Sequence, residues 1–330
     1  MFELLKTLLA PVGPTGAEHA VSDVIRPLVA AHAASVHTDV LGNLIAVKEG
    51  KPGGKRIMIS AHMDHIGFIV TDIEKEGFLR VMPLGGINLK VSLARRVAFA
   101  NGVQGVLVSQ PVPEGETQAM KHLFIDIGAE SREEAIKMVS IGDAAVYAGE
   151  AFRLGKHRVS APAMDDRCAC ALLVSLMQSV KSSENTIIAV FSTQEEVGLR
   201  GAQTAAFAQE PDIGVAIDVT LWGDTPETKL PALKLGQGPA VKIMDQASIS
   251  SPMVREALFL AAQKAGVHAQ REVLAFGGTD AGAIQRSRGG VPVGTVSIPC
   301  RYVHSACETI DMRDMDGALK LLAEFVQMKF

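Results

Sequence analysis

The stretch Ile57-Met-Ile-Ser-Ala-His-Met-Asp-His-Ile-Gly67 sets the reading of the whole chain. Ile57-Met-Ile-Ser60 carries no charge and has the length of a strand buried on both faces. It runs straight into His62 and Asp64. The same arrangement recurs three times. Ile187-Ile-Ala-Val-Phe-Ser192 runs into Thr193-Gln-Glu-Glu196, Gly214-Val-Ala-Ile217 ends at Asp218, and Val293-Gly-Thr-Val-Ser-Ile-Pro299 leads to Arg301-Tyr-Val-His304. Ligands of open α/β sheets bind outside the carboxyl ends of the strands. Four strands therefore deliver histidines and carboxylates to one edge.

Helical patterns alternate with these strands, which predicts an α/β fold. Thr15-Gly-Ala-Glu18 reads as a capping box before the apolar positions Val21, Val24, Ile25, Leu28 and Val29. Gly42-Asn43 marks a strand pair over 36–47, and helices are expected over 166–180, 201–208, 253–266 and 312–328. The rhythm changes from about Gly67 to Leu154, where short strands follow one another. Asn101-Gly102 between apolar alternations is a hairpin signal, and Ser131 with Glu134 caps one helix. The expected architecture is an α/β domain over 1–67 and 155–330, with a small β-rich domain inserted over 68–154.

A chain of 330 residues, 48% hydrophobic, is long enough for a large core. The net charge of −4, with no run of basic residues, leaves no footprint for nucleic acid, and 5% aromatics offer few stacking surfaces. The opening Met1-Phe-Glu-Leu-Leu-Lys6 lacks the basic start of a signal peptide, and the apolar run Cys168–Met177 is too short to span a bilayer. Four cysteines in 330 residues make no disulfide framework. Cys168 and Cys170, two apart on a helix, would not converge on one ion, so buried, inert thiols are expected. A reduced, cytoplasmic protein follows.

Two imidazoles with several carboxylates suit zinc or another divalent first-row ion. Asp64, two residues from His62, is placed to accept the second ring N–H of a ligating histidine. Asp165-Asp166 adds a carboxylate pair at the start of a helix, and five or more ligands accommodate two metals more easily than one. Of the adjacent Glu195 and Glu196, one could ligate while the other stays free as a general base. Singly these features are ordinary: acids are favoured at helix N-termini, and charged pairs are mostly solvated. Their joint position after buried strands is not.

The chain resembles the tetrahedral (TET-type) dinuclear-metal aminopeptidases, a family that includes glutamyl and deblocking aminopeptidases and endoglucanase-labelled relatives. The stretches that carry the resemblance are 61–67, Met164-Asp-Asp-Arg167, Gln194-Glu-Glu-Val-Gly-Leu-Arg-Gly201, Ala216-Ile-Asp218, Gly277-Gly-Thr-Asp-Ala-Gly282 and Arg301-Tyr-Val-His-Ser305, with Leu123-Phe-Ile-Asp-Ile-Gly128 in the inserted region. It implies a three-layer zinc-peptidase-like domain with an inserted β-barrel-like dimerisation domain. His62 and Asp218 would hold one metal, Glu196 and His304 the other, and Asp165 would bridge them, with a cis peptide to Asp166. Glu195 would be the general base, Asp64 the partner of His62, and Gly278, Thr279 and Asp280 would contact a peptide substrate. Zinc, cobalt or manganese would serve, and dimers would assemble into a tetrahedral dodecamer. His65 departs from the family, which usually has an acid there.

Three other functions fit parts of the pattern. A glycoside hydrolase also uses two carboxylates, but needs neither histidine, and one tryptophan makes a poor sugar cleft. A non-catalytic scaffold would have no reason to keep Glu195. A carboxypeptidase or deacylase with a related metal core would be separated by its need for a blocked rather than a free amine.

Overall fold

The computed structural model describes residues 1–228 and 233–330. At its centre, the strands Thr186–Ser192, Arg56–His62, Ile213–Thr220 and Val293–Arg301 lie side by side in that order and all parallel. All four carboxyl ends therefore reach the same edge, as the sequence reading requires. Leu44–Lys48 and Ser35–Thr38 extend the sheet on one side in antiparallel fashion. Glu308–Asp311, Arg158–Ala161 and Phe152–Leu154 extend it on the other, and Ala240–Met244 with Gln270–Val273 completes 11 strands.

Strand side chains alternate between two faces, and here both faces are dry. Ile57, Ile59, Ile187, Phe191, Val215 and Ile217 join a core with the helices Phe2–Leu9, His19–Ala30, Met164–Ser179, Pro252–Lys264 and Met312–Phe325. Met58, Ile188, Val190 and Ala216 face the opposite core with Arg200–Gln209 and Ala281–Gln285. This double covering is why the strand sequences run apolar without alternation, and it makes the domain three-layered. Met164–Ser179 packs on the sheet while the first and last helices cover its outer side, so it is buried all round and shows little amphipathic patterning.

The inserted region closes into a barrel. Gly67–Ile73, Leu79–Leu84, Leu123–Asp126, Gln104–Ser109, Arg95–Phe99 and Ala144–Tyr147 pair in that order around it, all antiparallel. Its core of Phe68, Leu79, Val97, Phe99, Leu107 and Ile125 is separate from those of the main sheet. Asn101-Gly102 forms the expected hairpin turn, with Gly102 at φ +90°. The chain rejoins the main sheet at Phe152–Leu154.

One local expectation fails. Thr15 and Glu18 do not make a capping box; the helix His19–Ala30 begins with no side-chain cap. The Thr15 hydroxyl donates instead to Asp64 Oδ2 at 2.8 Å. Glu18 Oε1 accepts from the backbone N–H groups of Gly16 and Gln194. Both side chains are drawn from the helix end to the carboxyl edge of the sheet.

Candidate active site

His62 closes its strand, and Asp165 opens the helix beneath it. His62 Nε2 lies 3.0 Å from Asp165 Oδ1 and 3.9 Å from Asp218 Oδ1. His304 Nε2 lies 3.3 Å from Asp165 Oδ2 and 3.1 Å from Glu196 Oε2. One carboxylate thus faces both imidazoles, an oxygen to each. Glu195 approaches from the His62 side, Oε2 to Nε2, at 3.9 Å. The peptide bond between Asp165 and Asp166 is cis.

Glu195 and Glu196 separate for a reason other than strand alternation. The strand has ended at Ser192, Gln194 sits at φ +54°, and the two glutamates lie in a turn. That turn is fixed from below by Asp64. Its Oδ1 accepts the Glu195 N–H at 3.0 Å and its Oδ2 accepts the Glu196 N–H at 3.3 Å. The ring partner of His62 Nδ1 is the backbone carbonyl of Asp64 at 2.9 Å, with the carboxylate further off at 3.5 Å. Asp64 is thus tied to both halves of the site, although its carboxylate serves the glutamate turn more closely than the histidine.

Three supports were not anticipated. Glu308, fully buried, accepts the backbone N–H groups of Asp165 at 3.0 Å and His304 at 2.7 Å, and so sets two side chains of the centre at once. It sits on a strand that carries no apolar run to mark it. The Gly85-Gly86 turn of the barrel packs against the site: a Cβ at Gly86 would stand 2.8 Å from His304 Nδ1, and one at Gly85 3.2 Å from Glu196. A double glycine facing nothing predictable gives no signal in sequence. Arg167, fully buried, donates to the carbonyls of Met63, Leu8, Pro11 and Gly13, pinning the N-terminal segment beside the catalytic edge.

Of the expected peptide-contacting residues, Gly278 lines the cleft next to the centre. The side chains of Thr279 and Asp280 turn inward. Thr279 is buried against Thr295, and Asp280 accepts from the hydroxyls of Ser60 and Ser192 behind the strand ends. His65 is buried and plays no part in the cleft; burial, aided by Arg167, drops its imidazole to about 3, so it stays neutral. Cys168, Cys170 and Cys300 are buried thiols as expected, whereas Cys307 is exposed because it lies in the turn after His304.

The electrostatics ask for cations. Burial, with neighbouring carboxylates adding to it, pushes Asp166, Glu195 and Asp218 well above the usual carboxylate range. Burial works against charge on His304, yet Glu196 and Asp165 lift it to about 12. One oxygen each of Asp166 and Glu196 is buried without a hydrogen-bond partner, and Asp165 Oδ1 has only the His62 imidazole beside it. A buried acceptor left unmade is costly, and a site crowded with them fits a bound cation. Among the described residues, His62, Asp166 and Asp218 form one group whose ligand atoms lie within 4.8 Å of one another, and His62, Asp165 and Glu196 form another. Asp166 was not an expected ligand; its Oδ2 also accepts the His62 N–H at 3.2 Å.

A three-layer α/β domain whose parallel strands end in paired imidazoles, a shared carboxylate and a free glutamate defines a metal-dependent hydrolase. Residues 42–321 match the M42 glutamyl aminopeptidase family, and the chain belongs to that family and is a peptide hydrolase. A relative from Acetivibrio thermocellus is 45% identical over 327 residues, covering 99% of this chain and 98% of its own length. The solved aminopeptidase of the archaeon Desulfurococcus kamchatkensis is 37% identical with a TM-score of 0.94, over 98% of this chain and 94% of its own. The TET1 peptidase of Pyrococcus horikoshii, described as assembling into a tetrahedron or a large octahedral shell, is 33% identical with a TM-score of 0.88 over 98% of each chain.

Proposed function

We propose that this chain removes N-terminal residues from peptides with two divalent cations, one held by His62 and Asp218, the other by Glu196 and His304, with Asp165 shared between them. The observation that carries the reading is Asp165 itself, with Oδ1 3.0 Å from one imidazole and Oδ2 3.3 Å from the other. Zinc, cobalt and manganese suit this donor set. When bound, such cations supply Lewis acidity toward water and toward a carbonyl oxygen.

The side chains do the rest. Glu195 is free of the shared-carboxylate geometry and takes the proton of the attacking water on a carboxylate oxygen. Glu195 then gives the proton to the leaving nitrogen. Asp64 holds the Glu195–Glu196 turn in register and fixes the tautomer of His62 through its carbonyl. The free α-amine of the peptide docks on a carboxylate of the same set, restricting cleavage to the first residue. Gly278 lets peptide backbone approach closely, while Thr279 and Asp280 shape that loop from behind.

The barrel over 68–154 serves as the dimerisation unit, and dimers build a tetrahedral dodecamer in a cytoplasmic setting. The buried, unpaired thiols and the likeness to a self-assembling peptidase support this part of the reading. A sugar-cleaving role lacks a platform: among the described residues lining the cleft, Phe276 is the lone aromatic.

Stripping the metals and restoring them tests the whole reading, with aminoacyl-p-nitroanilides as substrates and metal content measured per chain. Release should need a free α-amine, vanish with chelator and return with two ions per chain. Two bound ions without release from any free-amine substrate would leave a metal-binding protein of some other purpose.

A further inference from the structure

The cleft beside the catalytic centre, about 560 Å³ in volume, is lined by two unlike sets of side chains. One is the set of imidazoles and carboxylates already described. The other is apolar, formed by Leu199, Leu221, Leu274, Phe276 and Val303, with Gln246 beside them in the lining. One ammonium, that of Lys242, also reaches the lining, and a lone cation beside a peptidase centre invites an acidic side chain. Its surroundings decide otherwise.

Lys242 is nearly sealed from solvent, and its Nζ lies 3.3 Å from Glu272 Oε1 and 3.5 Å from Asp245 Oδ2. Both carboxylates are themselves buried, and Thr220, at the end of the strand Ile213–Thr220, donates to Glu272. The ammonium is thus already paired twice from inside the protein. Burial works against its charge, but Glu272, Asp218 and Asp245 hold it on. An incoming glutamate side chain would meet no free cation, since no arginine lines the cleft among the described residues. An incoming lysine would find the carboxylates of Asp245 and Glu272 buried and already paired to Lys242. What remains open to a side chain is the apolar wall.

Resting on the aminopeptidase reading above, we infer that this pocket selects peptides whose first residue carries an uncharged apolar side chain of the leucine or methionine class. Lys242, its ammonium already paired to Asp245 and Glu272 inside the protein, is part of that lining and not a charge reader.

Leucine, glutamate and lysine hydroxamates would be titrated into the metal-restored protein by calorimetry, alongside hydrolysis of the three matching p-nitroanilides. Leucine hydroxamate should bind at least about tenfold tighter than either charged analogue, because an apolar pocket leaves a charged group without partners. Phe276→Lys, a half-exposed position at the rim, should shift the leucine-to-glutamate binding ratio toward glutamate by about tenfold or more. Tighter binding of glutamate or lysine hydroxamate by the unaltered protein would overturn the inference, whatever the catalytic rates. Preferential binding of leucine hydroxamate without hydrolysis of any substrate would uphold the pocket and sink the aminopeptidase reading instead.

Discussion

Asp64 Oδ1 accepts the backbone N–H of Glu195 at 3.0 Å, so a carboxylate with no place in the cleft decides where the proposed base stands. Asp64→Asn puts an amide N–H against at least one donor it now accepts. We expect kcat to fall about 10- to 100-fold with KM little changed, as for other groups that orient a metal site from behind. Steady-state kinetics on a single aminoacyl-p-nitroanilide separates the two constants. A large rise in KM with kcat intact would show that Asp64 shapes binding instead.

Glu195→Gln keeps the shape and removes the proton acceptor. The expectation is a loss in kcat on the order of 10²–10⁴ with the folded state and metal content unchanged. Elemental analysis of the variant beside its rate decides this, because a variant that has lost an ion would implicate Glu195 as a ligand.

Gly86→Val presses on His304, where a Cβ already has only 2.8 Å to Nδ1. Activity should drop about tenfold or more, in line with the sensitivity of reaction rates to small displacements in a site. Gly289→Ala, which meets nothing within 4 Å, is the matched control and should change neither rate nor melting temperature. Equal behaviour of the two variants would mean the barrel turn is irrelevant to the centre.

Arg167→Met removes a guanidinium that satisfies the carbonyls of Met63, Leu8, Pro11 and Gly13. Leaving buried acceptors unmade costs about 1–3 kcal/mol each, partly offset because the buried cation no longer needs desolvating. A net loss of about 3 kcal/mol should appear as a shift in the denaturant midpoint with an unchanged slope. An unshifted midpoint would show that these carbonyls find other partners.

His65 makes stability depend on pH. Its imidazole drops to about 3 on folding, against an ordinary value near 6.5. The unfolded chain therefore takes up a proton that the native protein refuses, and stability present above pH 6.5 is lost as the pH falls toward 3. At pH 5 the loss amounts to about 2 kcal/mol. Urea titrations at pH 7 and pH 5 should show a smaller acid penalty for His65→Asn than for the unaltered protein. The same penalty in both would assign the acid sensitivity to other groups.

The central sheet was legible because strands covered on both faces leave uninterrupted apolar runs, and each run ends at a polar residue with no business in a core. Site residues at those ends could be named in advance for that reason. What escaped reading depends on contacts between segments far apart in the chain. Thr15 and Glu18 match a helix cap in isolation, yet they spend their oxygens on Asp64 and the Gln194 N–H. Glu308 acts through the backbone of Asp165 and His304, and no pattern of side chains announces that. Asp280 stands in a glycine-rich loop that reads as substrate-facing, but two serine hydroxyls behind the strand ends claim its carboxylate.

The strand order has a consequence for biosynthesis. Val293–Arg301 packs on Ile213–Thr220 inside the sheet, yet it leaves the ribosome well after the other three central strands, and His304 follows it by three residues. A nascent chain stalled before that strand carries His62, Asp165, Glu195 and Asp218 but not the second imidazole. Pairings of such long sequence separation form late and slowly. Until that strand and His304 have been made, the second imidazole cannot reach Asp165, so the centre stays incomplete while the earlier strands fold.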